Sequence, residues 1–273
     1  MHPYRWLRRA SLLTAAALTA QLAGTPALAA FPRLPTAVVR PTSIASEASY
    51  RVLVYTRATD YRHSSIPAGV SAIELLGAEH GFAVDTTADP TVFTTATLSH
   101  YATVVFLSTT GNPVPTKPER AAFQRYIENG GGFVGLHAAS DAGWNWPWYG
   151  RLVGAQFKAH PNIQLGLVHI EDHHNPATTG LSDRFRLDEW YDFRQDPRGT
   201  VHVLTDVVDS TIIGSTMGND HPITWCQDYD GGRSFYTAMG HSRQSYSEAF
   251  LQHVLLGGIE LTAGVLAADC SPN

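Results

Sequence analysis

Cysteine is nearly absent: Cys226 and Cys270 are the only two in 273 residues. Two cysteines cannot build a thiolate metal cage. An even pair permits one disulfide, closing the C-terminal tail onto the body, in the oxidising setting where such bonds persist. The alternative is a buried apolar Cys226 within Ile223-Thr224-Trp225-Cys226 and a free thiol at Cys270. Charge is also sparse, at 16% of residues, and the balance of 19 Lys+Arg against 24 Asp+Glu leaves −5. The basic residues are scattered, so no surface is built to release counterions from nucleic acid, and nucleic acid is excluded as a leading partner. No apolar run reaches the roughly 20 residues needed to span a bilayer, so no membrane span is expected in the mature form. A dinucleotide fingerprint is missing too. Gly130-Gly131-Gly132 precedes a strand pattern where the fingerprint would join a strand to a helix, so neither NAD nor flavin is expected. What remains is 44% hydrophobic residues with 23 Gly and 16 Pro spread along the chain, the composition of a globular protein.

The N-terminus reads as a leader. Arg5, Arg8 and Arg9 form a positive segment, Ala10 to Gly24 is apolar, and Ala27-Leu28-Ala29 fits a small-residue cleavage site, so residues 1–29 are expected to be a secretory signal peptide. Arg8-Arg9 also permits the twin-arginine route. The expected destination is secreted, outside the cytoplasm. Removing the leader leaves 16 Lys+Arg against 24 Asp+Glu, an acidic surface. Residues 30–48, rich in Pro, Ser, Thr and Ala, read as a flexible lead-in, and residues 263–273 as a C-terminal tail.

Between them the pattern is that of one α/β domain, residues 49–262. Strand-like runs at Tyr50 to Tyr55, Phe82 to Asp85, Ala102 to Leu107 and Phe133 to Leu136 alternate with helical spacing at Pro67 to His80 and Pro118 to Ile127. That alternation predicts a mostly parallel sheet with helices on both faces. Further strands are expected in the C-terminal half at 163–170, 185–191, 200–208, 222–229 and 234–238, with a last helix at Ser245 to Leu256. They would extend the sheet or add a small antiparallel layer.

Ligands of open parallel sheets sit beyond the carboxyl ends of the strands. The residues there are polar and rich in histidine: Tyr61-Arg62-His63, His137 to Asp141, His160-Pro161, Asp188-Glu189-Trp190-Tyr191, His221-Pro222-Ile223-Thr224-Trp225 and Gly240-His241. All of these except Ala138 to Asp141, together with Gly131 to Leu136 and Phe157-Lys158-Ala159, resemble the ThuA-like (trehalose utilisation) family over about residues 50–262. The resemblance implies a class I glutamine amidotransferase-like, flavodoxin-like fold and a sugar-related role. It also marks a departure: amidotransferases present a nucleophilic Cys at the sharp turn after this strand, and His137 stands there here, so glutamine hydrolysis through a thioester is not expected.

Histidine titrates near neutral pH and is the commonest metal ligand. His63, His137 and His221 are the leading candidates for proton transfer, with Glu189 and Asp141 as carboxylate partners. The same three histidines could hold a divalent metal such as zinc. Asp188 and Glu189 would point to opposite faces of a strand, and Glu189 is the one assigned to the cleft. Asp141 shares a helical face with His137 if the turn leads into a helix, and is otherwise a helix cap. Trp144, Trp146, Tyr191, Trp225, His160 and His241 are candidates for binding a carbohydrate small molecule or glycan, since sugars rest on flat rings beside polar groups; core packing explains the tryptophans equally well. A polar turn explains His169, His173 and His174 as well as a metal does. The residues leave two readings open: a hydrolase, lyase or isomerase working by acid–base chemistry on a glycoside or keto-sugar, or a non-catalytic carbohydrate-binding module. They do not fix the sugar or the oligomeric state.

Overall fold

The computed structural model describes residues 48–273; the leader over 1–29 and all but the last residue of the lead-in lie outside the described residues. The chain begins with β1 (Tyr50–Tyr55), whose last four residues are buried. Next comes α1 (Ile66–His80), with a proline in its first turn and Gly81 closing it at φ 78°. This left-handed cap suits glycine because it has no Cβ. Parallel pairing follows with β2 (Phe82–Thr87) and β3 (Thr103–Leu107) on either side of β1. Between them lies α2 (Thr95–Leu98). Thr116 and Glu119 form a reciprocal capping box at the start of α3 (Lys117–Glu128), satisfying two otherwise orphaned donors. β4 (Gly132–Leu136) pairs parallel with β3.

β3 shows how the layers form. Alternate residues of a strand face opposite ways: Leu107 packs on Gly69 of α1, while Phe106 stacks on Phe123 of α3 at 5.3 Å. The sheet is thereby covered on both faces, as the alternating pattern implies.

After α4 (Pro147–Val153), a two-stranded ribbon of β5 (Phe157–Ala159) and β8 (Asp192–Phe193) stands apart from the main sheet. The other strands are β6 (Gln164–Ile170), β7 (Arg184–Asp188), β9 (His202–Val207), β10 (Pro222–Tyr229) and β11 (Gly232–Thr237). They complete a nine-stranded sheet in the order β2-β1-β3-β4-β11-β10-β9-β6-β7. The first five run parallel; from β11 onward each neighbour is antiparallel. Alternation brings β7 round to the same direction as β11.

The last helix, α5 (Ala249–Thr262), starts and ends later than its pattern predicts. Its expected start, Ser245, lies in a separate 3-10 turn, Gln244–Ser247. Gly257 and Gly258 look like a stop signal but lie inside the helix, where they permit close approach. A Cβ would stand 2.4 Å from the Ala177 backbone at the first and 2.5 Å from the Phe235 ring at the second.

Cys226 and Cys270 form a disulfide with Cα atoms 5.4 Å apart, tying the C-terminal tail to β10. Beyond it, Asn273 bonds the backbone of Val203 in β9 through both its side-chain oxygen and nitrogen. No helix among the described residues is long and apolar enough to cross a membrane. Mass spectrometry without reductant should therefore find no free thiol. Cys226→Ser and Cys270→Ser should each lower unfolding stability by about 2–4 kcal/mol, since each releases the same closed loop in the unfolded chain. Two alkylatable thiols, or unchanged urea midpoints in both variants, would contradict this.

Candidate functional site

The chain after β4 turns sharply. His137 has φ 48°, a left-handed conformation that a side chain adopts only when its surroundings enforce it. The enforcing contact is Tyr236 in β11, whose hydroxyl donates to the His137 carbonyl at 2.8 Å. Ser140 lies 2.9 Å from the same hydroxyl and is thereby occupied in holding the turn.

The His137 imidazole is fully buried. Its Nδ1 lies 2.7 Å from the carbonyl oxygen of Ala238, which can only accept, so Nδ1 carries the proton. Its Nε2 points inward. Around that nitrogen stand His63 Nε2 at 3.2 Å, the Tyr191 hydroxyl at 3.0 Å and Glu189 Oε2 at 3.4 Å. The same carboxylate oxygen lies 3.0 Å from His241 Nδ1, and Glu189 Oε1 lies 3.3 Å from His160 Nδ1. One ligand-capable atom from each of His63, His137, Glu189 and His241 falls within 4.8 Å of the others.

The four come from strand ends remote in sequence: after β1, β4, β7 and β11. A buried carboxylate that the sequence reading passed over aligns two of them. Asp188, 1% exposed, accepts the Glu189 and His241 backbone N–H groups on Oδ1 at 3.0 and 3.1 Å. Its Oδ2 accepts the Gly240 N–H at 3.0 Å and the Ser245 hydroxyl at 3.4 Å. Arg186, also buried, stands 3.9 Å behind it. Nothing in the local sequence reveals that the Asp188 carboxylate would be bonded to residues more than 50 positions away.

Burial pushes the His63 imidazole down to about 3, helped by the neighbouring His137 and His241. It is a neutral ring at ordinary pH. Burial would raise the Glu189 carboxyl, but hydrogen bonding and charge from His137 and His241 outweigh it and hold Glu189 well below the usual carboxylate range. The Glu189 contact in turn raises His241. Burial, then Glu189, keeps the Tyr191 hydroxyl protonated. These environments separate the protonation behaviour of groups in contact.

Five expected site residues are not in this cluster. His221 is buried but turned away: Nε2 bonds the Tyr191 carbonyl at 2.9 Å, and Nδ1 faces Asp209 at 3.2 Å and Ser215 at 3.3 Å. It supports the backbone of Tyr191, and the place expected for it among the metal-ligating histidines is taken by His241. Asp141 is displaced because the turn at His137–Asp141 is a 3-10 helix; at three residues per turn, positions four apart diverge by roughly 120°. Burial and Asp60 raise its carboxyl to about 6. Trp225 is wholly buried, donates to the Val153 carbonyl at 2.7 Å and packs on Tyr236 at 4.6 Å, so it is core.

Trp146, 7% exposed, is likewise packed between Trp148 and Tyr149 at 5.4 and 5.5 Å. Trp144 remains partly exposed at a cavity wall, with the Arg194 guanidinium 4.1 Å over its ring. His160 sits at the rim, its side chain 41% exposed. With both cysteines in the disulfide, neither offers a thiol near His137.

A family model described as ThuA, trehalose utilisation, matches residues 51–262. Two crystal structures are similar over most of their length. A ThuA-like protein from Bacteroides uniformis is 26% identical, with TM-score 0.67, over 80% of this chain and 93% of that one. Another from Parabacteroides merdae is 22% identical, with TM-score 0.68, over 82% and 97%. The β-galactosidase of Bacillus circulans shares the fold over 83% of this chain but only 32% of its own, at 13% identity and TM-score 0.51. No curated protein matches the chain.

Two outcomes follow from the geometry. Asp188→Asn should lower stability by about 2–4 kcal/mol, because amide hydrogens would then face N–H donors and the buried Arg186 would keep only Glu248 as a counter-charge. The exposed control Asp230→Asn should stay within about 0.5 kcal/mol. Equal denaturation midpoints for the two variants would refute the role given to Asp188. The second outcome concerns pH. Between about 6.5, the ordinary imidazole value, and about 3, the unfolded chain takes up a proton that folded His63 refuses. Stability should thus fall as pH falls through this window. Urea midpoints between pH 7 and 5, with chelator present, should show the slope, and His63→Gln should flatten it.

Proposed function

The chain belongs to the ThuA (trehalose utilisation) family, and from that premise we propose that it performs acid–base chemistry on a carbohydrate at the His63–His137–Glu189–His241 centre. We further propose that this centre holds a divalent cation such as zinc. One observation carries the reading. Ligands bonded to zinc at roughly 2.0–2.1 Å in a tetrahedron lie roughly 3.3 Å from one another, and the contacts here are 3.2, 3.4 and 3.0 Å. The donor set is also apt: imidazole and carboxylate suit zinc and its neighbours. His137 donates its other ring proton to a backbone carbonyl, the outer contact that usually fixes a metal-ligating histidine. His63 Nδ1 is buried without a hydrogen-bond partner among the described residues, and His241 Nδ1 has the Glu189 carboxylate beside it at 3.0 Å.

A bound cation would supply Lewis-acid polarisation of a sugar oxygen, which would enter as a fifth ligand beside the four from the protein. The chain's own groups provide the remaining functions. Tyr191, protonated and 3.0 Å from His137 Nε2, is a hydrogen-bond donor aimed into the centre. Glu189 stays ionised and is the base or counter-charge. Hydrolysis of a glycoside, elimination, and keto-sugar isomerisation each need an acid and a base in one cleft, and this group supplies both. The leader over residues 1–29 supports action outside the cytoplasm.

The test uses the chain from Ala30 onward. Metal analysis after dialysis against zinc should find about one ion per chain, lost in His137→Ala and His241→Ala but retained in His221→Ala. On a panel of glycosides and their 3-keto derivatives, His137→Ala should reduce turnover by at least about 100-fold with unchanged circular dichroism. Absence of metal uptake by the unmodified chain would overturn the metal assignment. Sugar binding without turnover on any member would overturn catalysis in favour of a binding module.

A further inference from the structure

A second cavity lies away from the histidine centre, about 590 Å³ in volume, within the roughly 300–1,000 Å³ typical of small-molecule sites. Its walls come from the segment around α4 and from the far end of the β5–β8 ribbon. Chemically it is unlike the rest of the molecule. Two arginines, Arg151 and Arg194, line it with Gln156, Gln195, Trp144 and Tyr229, and no carboxylate does. The chain beyond the leader carries 16 Lys+Arg against 24 Asp+Glu, so a purely basic cavity runs against the overall charge.

The arginines are also under-employed. Arg194 makes no side-chain hydrogen bond or ion pair among the described residues; its contact is the stack on Trp144, and the nearest charge acting with it is the half-buried Asp141 behind that ring. Arg151 donates from Nε to the Tyr229 hydroxyl at 3.2 Å, leaving both terminal nitrogens uncommitted. The Gln156 and Gln195 amides likewise have no side-chain partner among the described residues. A guanidinium fork matches a carboxylate with two parallel bonds, amides suit hydroxyls in either direction, and aromatic rings suit the apolar face of a pyranose.

We infer that this cavity is a distal subsite for a sugar ring carrying a carboxylate, a uronate-type residue joined to the unit at the histidine centre. This rests on the carbohydrate reading given above. The ribbon supplies the span. Its Arg194 N–H bonds the Gln156 carbonyl at 2.9 Å at the cavity end, and its other end leads to His160 beside Glu189. Four residues of extended chain separate Gln156 from His160, roughly 13 Å at a strand's rise, a separation of two or three sugar units. The subsite would select acidic oligosaccharides and leave the chemistry at the far end unchanged.

The experiment is calorimetric titration of the unmodified chain with D-glucuronate, D-glucose and sodium sulfate at fixed ionic strength. Glucuronate should bind saturably and at least tenfold more tightly than glucose or sulfate. Arg151→Ala and Arg194→Ala should each weaken it at least tenfold. Arg194→Lys should fail to restore it, since an ammonium lacks the fork. Trp144→Ala should weaken glucuronate and leave sulfate unchanged. Equal affinity for glucose would overturn the charge assignment, equal affinity for sulfate the sugar assignment, and indifference to both arginines the location. All three arginine variants change exposed side chains and should keep the metal content of the unmodified chain. Failure of metal uptake or turnover in the unmodified chain would count against the histidine centre alone.

Discussion

The site depends on the burial of one negative charge. β7 is the fourth strand along from β11 in the sheet, and at the usual strand spacing a flat sheet would hold them roughly 19 Å apart. Yet Asp188, the last residue of β7, bonds the Gly240 and His241 backbones just beyond β11. The antiparallel half must therefore curl back until its last strand end meets the loop after the parallel half. Twist makes such curling natural, and the carboxylate fixes where it stops. Four hydrogen bonds and Arg186 replace the water that Asp188 gives up. The curl brings Glu189, the next residue, against His137 and His241.

Within that frame each group owes its state to its neighbours. Ala238 fixes a His137 proton on Nδ1 and so turns Nε2 inward, toward Glu189. The histidines hold Glu189 ionised despite its burial, and Glu189 raises His241 while His63 stays neutral. His63 and His241, gathered in one cluster around the same carboxylate, are thus shifted in opposite directions, and the difference comes from position alone.

Much of this arrangement is legible in the sequence. The alternating elements to residue 140 give the parallel half, and the rule that ligands gather at carboxyl strand ends brings His63, His137 and Glu189 to one place. Strand order is what the sequence does not carry. His221 and His241 both flank C-terminal strands, but β11 lies beside β4, which bears His137, whereas His221 precedes the antiparallel β10 and turns toward Asp209. Without knowing that β11 is the neighbour of β4, the two histidines look alike. Trp225 misleads for a related reason: its indole N–H finds a carbonyl inside the core, so a polar handle near the site motifs does not imply a wet ring. Asp141 fails on helix type, since a 3-10 turn and an α-helix begin with the same residues.

The spread of the four clustered residues from position 63 to position 241 bears on how the protein is made. None can meet the others until the parallel strands and the curled half have both formed, and such long-range pairing is the slow part of folding. An unfolded chain would offer a cation only scattered single ligands, so affinity for the assembled centre would register as stability of the folded state. If the centre takes up a cation as proposed, topology sets the order of events: polypeptide first, inorganic component last. A cell producing this protein would have to make the cation accessible in the compartment where the sheet closes, and the place of folding would decide which metal is acquired.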